Sequence, residues 1–171
     1  MKGYIHVYTG DGKGKTTAAL GLAIRAVGAG LKVYIAQFLK HGDYSEIKGL
    51  DRFSDTITVE QFGCGRFIKG RPSKEDVAAA RQGLKKVKTI LAAGKYSVVI
   101  LDEANVAVSL NLFSENELLE ILDHRPDNVE IIITGRGAAP GIIEAADLVT
   151  EMKEIKHYFK KGVKARIGIE K

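Results

Sequence analysis

Ile5-His6-Val7-Tyr8-Thr9-Gly10-Asp11-Gly12-Lys13-Gly14-Lys15-Thr16-Thr17 decides how the rest of the chain is read. Residues 5–8 are a short β-rich run, a loop with three glycines follows, and residues 15–29, rich in alanine and leucine, read as a helix. A polyphosphate needs many donors at close range. Main-chain N–H groups supply them only where no side chain blocks the approach, and the following helix N-terminus adds the positive end of its dipole. Lys15 is placed to reach phosphate oxygens and the Thr16 hydroxyl to ligate Mg²⁺. Gly10, Asp11, Gly12, Lys13, Gly14, Lys15, Thr16 and Thr17 are therefore the candidate residues for gripping the triphosphate of ATP. The usual spacing puts the first glycine five residues before Gly14; here that position is Thr9, and glycine comes one later, at Gly10.

Working outward, residues 32–38 read as a second buried strand, which completes the sequence form of a right-handed βαβ unit. Residues 41–55 are polar and carry no clear pattern, whereas 56–62 alternate as a strand does. Residues 63–72 form a loop with three glycines and a proline. Ser73, with Asp76 three residues on, is a loose capping box for a helix to about Ala93, stopped by Gly94. Residues 96–101 are the near-continuous apolar run that a central parallel strand requires, and they end at Asp102-Glu103. Ser114 caps a helix to about Asp123, residues 129–134 are another buried strand ending at Gly135-Arg136-Gly137, and Pro140 opens a short helix to Ala146. Residues 148–155 and 163–169 read as two edge strands, joined through Lys160-Lys161-Gly162 as a hairpin. Strands alternating with helices imply an α/β chain, a single domain over 1–171, with one doubly wound, mainly parallel sheet and helices on both faces. With the phosphate loop, that is the P-loop NTPase, RecA-like class of fold. Ligands of such sheets bind outside the carboxyl ends of the strands. Residues 10–17, Asp102-Glu103 and 135–137 all lie at such ends.

An acidic pair after a buried strand is the metal-supporting element of a phosphate-loop protein. Glu103 is assigned to Mg²⁺, directly or through water, with Asp102 supporting it. Arg136, between two glycines, is a candidate phosphate contact, since arginine pairs with phosphate bidentately. Arg25 lies ten residues past Lys15 and by spacing alone is a surface or interface residue; it is kept among the cofactor-binding candidates on the resemblance given below. His6, His41, His124 and His157 lack the spacing of a zinc site.

The bulk numbers narrow the setting. With 26 Lys and Arg against 21 Asp and Glu the net charge is +5, but the basic residues are dispersed, so no nucleic-acid partner is expected. The single cysteine, Cys64, allows no internal disulfide. No apolar run reaches the ~20 residues that span a bilayer, and the first residues enter a strand rather than a leader, so no membrane partner and a cytoplasmic location are expected.

Together these residues resemble the ATP:corrinoid adenosyltransferases, also called cob(I)alamin or cob(I)yrinic acid a,c-diamide adenosyltransferases. The resemblance covers nearly the whole chain. It rests on residues 7–19, Arg25-Ala26-Val27-Gly28, Gln37-Phe38, Leu101-Asp102-Glu103, Ile133-Thr134-Gly135-Arg136-Gly137, Lys156-His157, Gly162-Val163-Lys164-Ala165 and Gly168-Ile169. The shifted glycine is itself a mark of that family. The resemblance implies that Co(I) of a corrinoid attacks the ribose 5′ carbon of ATP, forming a Co–C bond and releasing tripolyphosphate. Lys15, Lys13, Arg136 and Mg²⁺ (or Mn²⁺) would then stabilise the departing triphosphate, with Lys15, Arg136 and Glu103 as the catalytic set. It further implies apolar side chains under the cobalt, for which Phe62 and Phe67 are the candidates, although relatives carry a tryptophan nearby and this chain has none. A homodimer and a flavoprotein reductant are its implied partners. A P-loop ATPase or kinase doing phosphoryl transfer is the alternative, because neither Asp102 nor Glu103 decides between the two.

Overall fold

The computed structural model describes residues 2–68 and 70–170; Met1, Lys69 and Lys171, including the Lys69 position of the glycine loop, lie outside the described residues. Among the described residues six strands form one sheet in the order β3-β2-β4-β5-β1-β6, and every pairing is parallel. They are β1 (Ile5–Thr9), β2 (Val33–Phe38), β3 (Ile57–Phe62), β4 (Val98–Asp102), β5 (Glu130–Thr134) and β6 (Leu148–Glu151). The helices are α1 (Lys15–Gly28), α2 (Ser45–Leu50), α3 (Lys74–Ala93), α4 (Ala104–Ser109), α5 (Glu115–Asp123) and α6 (Pro140–Ala145).

The apolar runs of β2, β4 and β5 explain their central places, because successive residues serve opposite faces and both faces are covered. On one face Tyr34, Ala36 and Phe38 of β2, Val99 and Leu101 of β4, and Ile131 and Ile133 of β5 pack with Leu84, Val87 and Leu91 of α3 and Leu118, Ile121 and Leu122 of α5. On the other, Val33 and Ile35, Val98 and Ile100, and Ile132 meet Ala19, Ala23 and Ala26 of α1. Those three alanines share one helix face and are too small to hold α1 off the sheet, so α1 lies close against β2, β4 and β5.

α3 carries both halves of the capping box between Ser73 and Asp76 and ends at Gly94, in the left-handed region at φ 62°. Midway, Gly83 faces Phe62 and Phe38, and a Cβ there would stand 2.7 Å from Phe62 Cγ. Gly83→Val is therefore expected to destabilise by about 1–3 kcal/mol through overpacking. Urea unfolding checks this, and an unchanged midpoint would mean that the two rings move aside without strain.

β1 and β2 are parallel strands of the one sheet, with β5 and β4 between them. Residues 41–55, without a clear pattern in sequence, hold α2 and a 3₁₀ turn, Asp51–Phe53. One expectation needs correction: among the described residues the C-terminal hairpin is absent, because β6 stops at Glu151 and residues 158–161 form a 3₁₀ turn ended by Gly162 at φ 80°. Residues 163–169 alternate like a strand but have no ladder partner, and Ile167 remains 83% exposed. After β6 the chain instead crosses the phosphate loop. Met152 N–H donates to Thr9 O at 2.8 Å, and Gly12 N–H donates to Met152 O at 2.6 Å.

Candidate functional site

The crossing by Met152 gives a physical reason for the glycine spacing. A Cβ at Gly10 would lie 2.5 Å, and one at Gly12 2.6 Å, from Met152 O, so side chains are excluded at both positions. Thr9, at the usual glycine position, uses its hydroxyl instead: it accepts from Ala138 N–H at 3.3 Å and ties the strand end to the loop of Arg136. Gly14 caps α1 at φ 117° without a side-chain bond, which leaves the first-turn amides of α1 to a ligand.

Lys15 is 8% exposed, and its ammonium donates to the carbonyls of Gly10 and Gly12, each at 2.7 Å. Burial lowers its pKa, and Glu103 opposes that. Thr16 Oγ1 donates to Asp102 Oδ1 at 2.8 Å. Asp102 is fully buried and takes three more donors: Thr134 Oγ1 at 2.7 Å, Gln37 Nε2 at 3.2 Å and Lys40 Nζ at 2.8 Å. Its oxygens are thus engaged by protein, and its influence on a cation runs through Thr16.

Glu103 breaks the strand with φ 60° and starts α4. A left-handed residue other than glycine costs about 1–2 kcal/mol, and here the turn puts the Glu103 side chain on the wall of the cleft. Burial raises its pKa, as does Asp102, while Lys40, Lys15 and Arg136 pull it down. Thr134 Oγ1 accepts from Glu103 N–H at 2.9 Å, so the last residue of β5 joins the two acidic residues.

Residues 11–17 of the loop, Glu103 and Arg136 line one cleft of about 1090 Å³, and so does Phe67, 86% exposed. Four candidates lie off that lining: Gly10, packed under Met152, Asp102, buried and bonded to Thr16, and Phe62 and Arg25. Phe62 is 8% exposed and packs against Phe38 in the core, with a centroid distance of 6.1 Å; Phe67 alone of that pair faces the cleft. Arg25 is exposed on α1 away from the cleft lining, as ten residues at ~1.5 Å rise would place it.

Sequence reasoning missed Lys40. Leu39 turns in the left-handed region at φ 66°, and Lys40 swings back to Asp102, with Glu46 at 3.4 Å. Burial works against its charge, but Asp102 and then Glu46 and Glu103 outweigh it and raise its pKa. The available signal was its place, two residues past the carboxyl end of β2. The tail also lines the cleft, with His157, Gly168, Ile169 and Glu170; the strand pattern of residues 163–169 hides that wall from a sequence reading.

The oxygen donors suit Mg²⁺. The Thr16 hydroxyl gives its proton to Asp102, which leaves lone pairs for a cation, and Glu103 supplies a carboxylate on the same cleft. Among the described residues no group of three or more His, Cys, Asp or Glu forms a metal cage, so a cation here would draw its other ligands from phosphate and water, the usual habit of Mg²⁺.

A parallel sheet, a phosphate loop on α1 and an acidic β4 end define a P-loop nucleotide-binding α/β protein. The fold is shared with a KaiC-like protein of Pyrococcus horikoshii OT3, at TM-score 0.56 and 15% identity over 91% of this chain and 75% of that one. The sequence model of the ATP:corrinoid adenosyltransferase BtuR/CobO/CobP family matches residues 1–170, and the chain belongs to that family. Its relatives include the corrinoid adenosyltransferase of Escherichia coli K12, 41% identical, over 99% of this chain and 86% of that protein. That of Pseudomonas aeruginosa is 37% identical, over 99% and 84%. The corrinoid adenosyltransferase CobA of Salmonella typhimurium is 35% identical, over 99% and 86%. The chain is accordingly an enzyme of the transferase class.

Proposed function

We propose that the chain transfers the 5′-deoxyadenosyl group of ATP to the Co(I) of a corrinoid, cobalamin or cob(I)yrinic acid a,c-diamide, and releases tripolyphosphate. The observation that carries this reading is one cleft of about 1090 Å³ lined both by residues 11–17 of the phosphate loop and by the exposed ring of Phe67. That volume lies just above the ~300–1,000 Å³ typical of single-ligand pockets, which supports a site for two substrates.

The electron pair on cobalt makes the Co–C5′ bond while the C5′–O bond breaks and its pair leaves on the triphosphate. No protein nucleophile is needed, so the work of the chain is alignment and charge stabilisation. Lys15, Lys13 and Arg136 meet the charge that builds on the leaving group, and the α1 amides hold it in line. Thr16 and Glu103 would hold Mg²⁺, with Asp102 fixing Thr16; the ion would supply further positive charge at the phosphates. Phe67 is assigned to the corrinoid side, where an apolar face disfavours an axial ligand and eases reduction of Co(II). The reductant comes from outside the chain, and a flavoprotein is the class proposed.

A homodimer in the cytoplasm completes the reading. Support for the dimer comes from the open edge of the sheet, where Leu148 and Val149 of β6 are 43% and 42% exposed. Sedimentation velocity measures it directly.

Protein, Mg-ATP, corrinoid and a strong reductant should give a light-sensitive adenosylcorrinoid and tripolyphosphate in equal amounts. Orthophosphate or ADP as the only phosphate product would reject the reaction. Phe67→Ala is expected to slow the reaction that starts from Co(II) about tenfold, the size of one lost aromatic contact, and to spare that of pre-reduced Co(I). Equal loss with both would remove Phe67 from the corrinoid side.

A further inference from the structure

Glu170 puts a carboxylate into the wall of a cleft built for a polyanion. Its partners are those an anionic ligand would want. Lys13 of the phosphate loop donates to Oε1 at 2.9 Å, and the Tyr158 hydroxyl donates to the same oxygen. Arg166 donates through Nη2 to Oε1 at 3.0 Å, and through its main-chain N–H and Nε to Oε2 at 2.8 and 3.3 Å. Both cations also lie near the Tyr158 ring, with Lys13 Nζ 5.8 Å and the Arg166 guanidinium 5.0 Å from its centroid. Two cations from segments about 150 positions apart converge on one carboxylate, which the geometry of an exposed tail alone does not require. Lys13 belongs to the phosphate loop, yet its ammonium is held by the tail, through Glu170 and the Tyr158 hydroxyl at 3.0 Å.

We propose that Lys13, Tyr158 and Arg166 form an anion subsite for a phosphate group of the bound polyphosphate, which Glu170 fills in this structure as an internal competitor. A planar carboxylate with donors on both oxygens imitates one edge of a phosphate, and the guanidinium fork suits either. The two anions cannot share three donors without repulsion, so polyphosphate must displace Glu170. Tail and loop then close on the ligand through Arg166 and Tyr158. The inference rests on the proposed function only in taking the ligand of the cleft to be a polyphosphate.

Inorganic tripolyphosphate titrated calorimetrically into the full chain tests it. Glu170→Gln, which keeps the shape and removes the charge, is expected to bind about fivefold more tightly, the upper range for an exposed ion pair. Arg166→Gln should weaken binding, and in the double variant the gain from Glu170→Gln should disappear. Glu170→Gln binding no better than the natural chain, or a gain that survives loss of Arg166, would overturn the subsite. Matching thermal midpoints for the three variants exclude a folding defect as the cause. Tripolyphosphate binding without adenosylcorrinoid formation would count against the proposed reaction and leave the subsite standing; normal adenosyl transfer with an indifferent Glu170 removes the subsite alone.

Discussion

Lys15→Ala is expected to cut adenosylcorrinoid formation by about 10³-fold or more while the fold survives. Removal of one preorganised donor to a developing oxyanion costs about 10²–10³ in turnover, and this donor also carries a full charge in a site that excludes much of the water. The ammonium is already oriented, because the Gly10 and Gly12 carbonyls hold it at 2.7 Å on the floor of the cleft. It needs little rearrangement to face a phosphate. Stability should change little, since the freed carbonyls border the cleft and no apolar core is opened. Measured turnover within tenfold of the natural chain, with both substrates saturating, would sink the assignment of the loop. A collapse of the thermal midpoint would instead show that Lys15 is a strut of the fold.

Local signals carried the prediction of that loop, and they were legible for that reason. Glycines that sit under a crossing backbone, a helix that starts beneath them and apolar runs long enough for both faces of β4 and β5 are all written within a few residues. So are the capping boxes at Ser73 and Ser114, both present in full. What stayed hidden depends on pairings far apart in sequence. Lys40 meets Asp102 across 62 positions, and no spacing announces it. Phe62 and Phe67 flank one glycine loop, and composition could not tell that the first would turn to Phe38 while the second stayed 86% exposed. Residues 163–169 alternate correctly for a strand, but a strand needs a ladder partner. β6 pairs with β1 in register from His6–Leu148 to Thr9–Glu151, and after it the chain crosses the phosphate loop at Met152 and does not return along the outer edge of β6.

Asp102→Asn should damage both stability and metal use, and the two effects can be read separately. The carboxylate is fully buried and accepts four donors, two hydroxyls on Oδ1 and the Gln37 amide with the Lys40 ammonium on Oδ2. Asparagine brings one acceptor and two donors into a place built for acceptors only. Placed toward Lys40 and Gln37, its NH₂ group meets two donors; placed toward the threonines, it forces their hydroxyls to accept, and Thr16 then turns its lone pairs away from a cation. In either pose Lys40 loses its charged partner at 2.8 Å and keeps only the Glu46 carboxylate at 3.4 Å. Breaking a buried pair costs about 3–5 kcal/mol, and the 18% exposure of Lys40 brings the expectation to about 2–4 kcal/mol by urea unfolding. The loss of an outer partner to a metal ligand typically costs about 10–100-fold in affinity or activity, so the Mg²⁺ concentration for half-maximal turnover should rise at least tenfold. Thr134→Val is the control, because it removes one hydroxyl but keeps the charge; its cost should stay near 1–2 kcal/mol with a smaller change in Mg²⁺ demand. A folded Asp102→Asn protein with the Mg²⁺ dependence of the natural chain would show that Thr16 does not hold the cation, and the metal would have to be assigned to Glu103 and the phosphates alone.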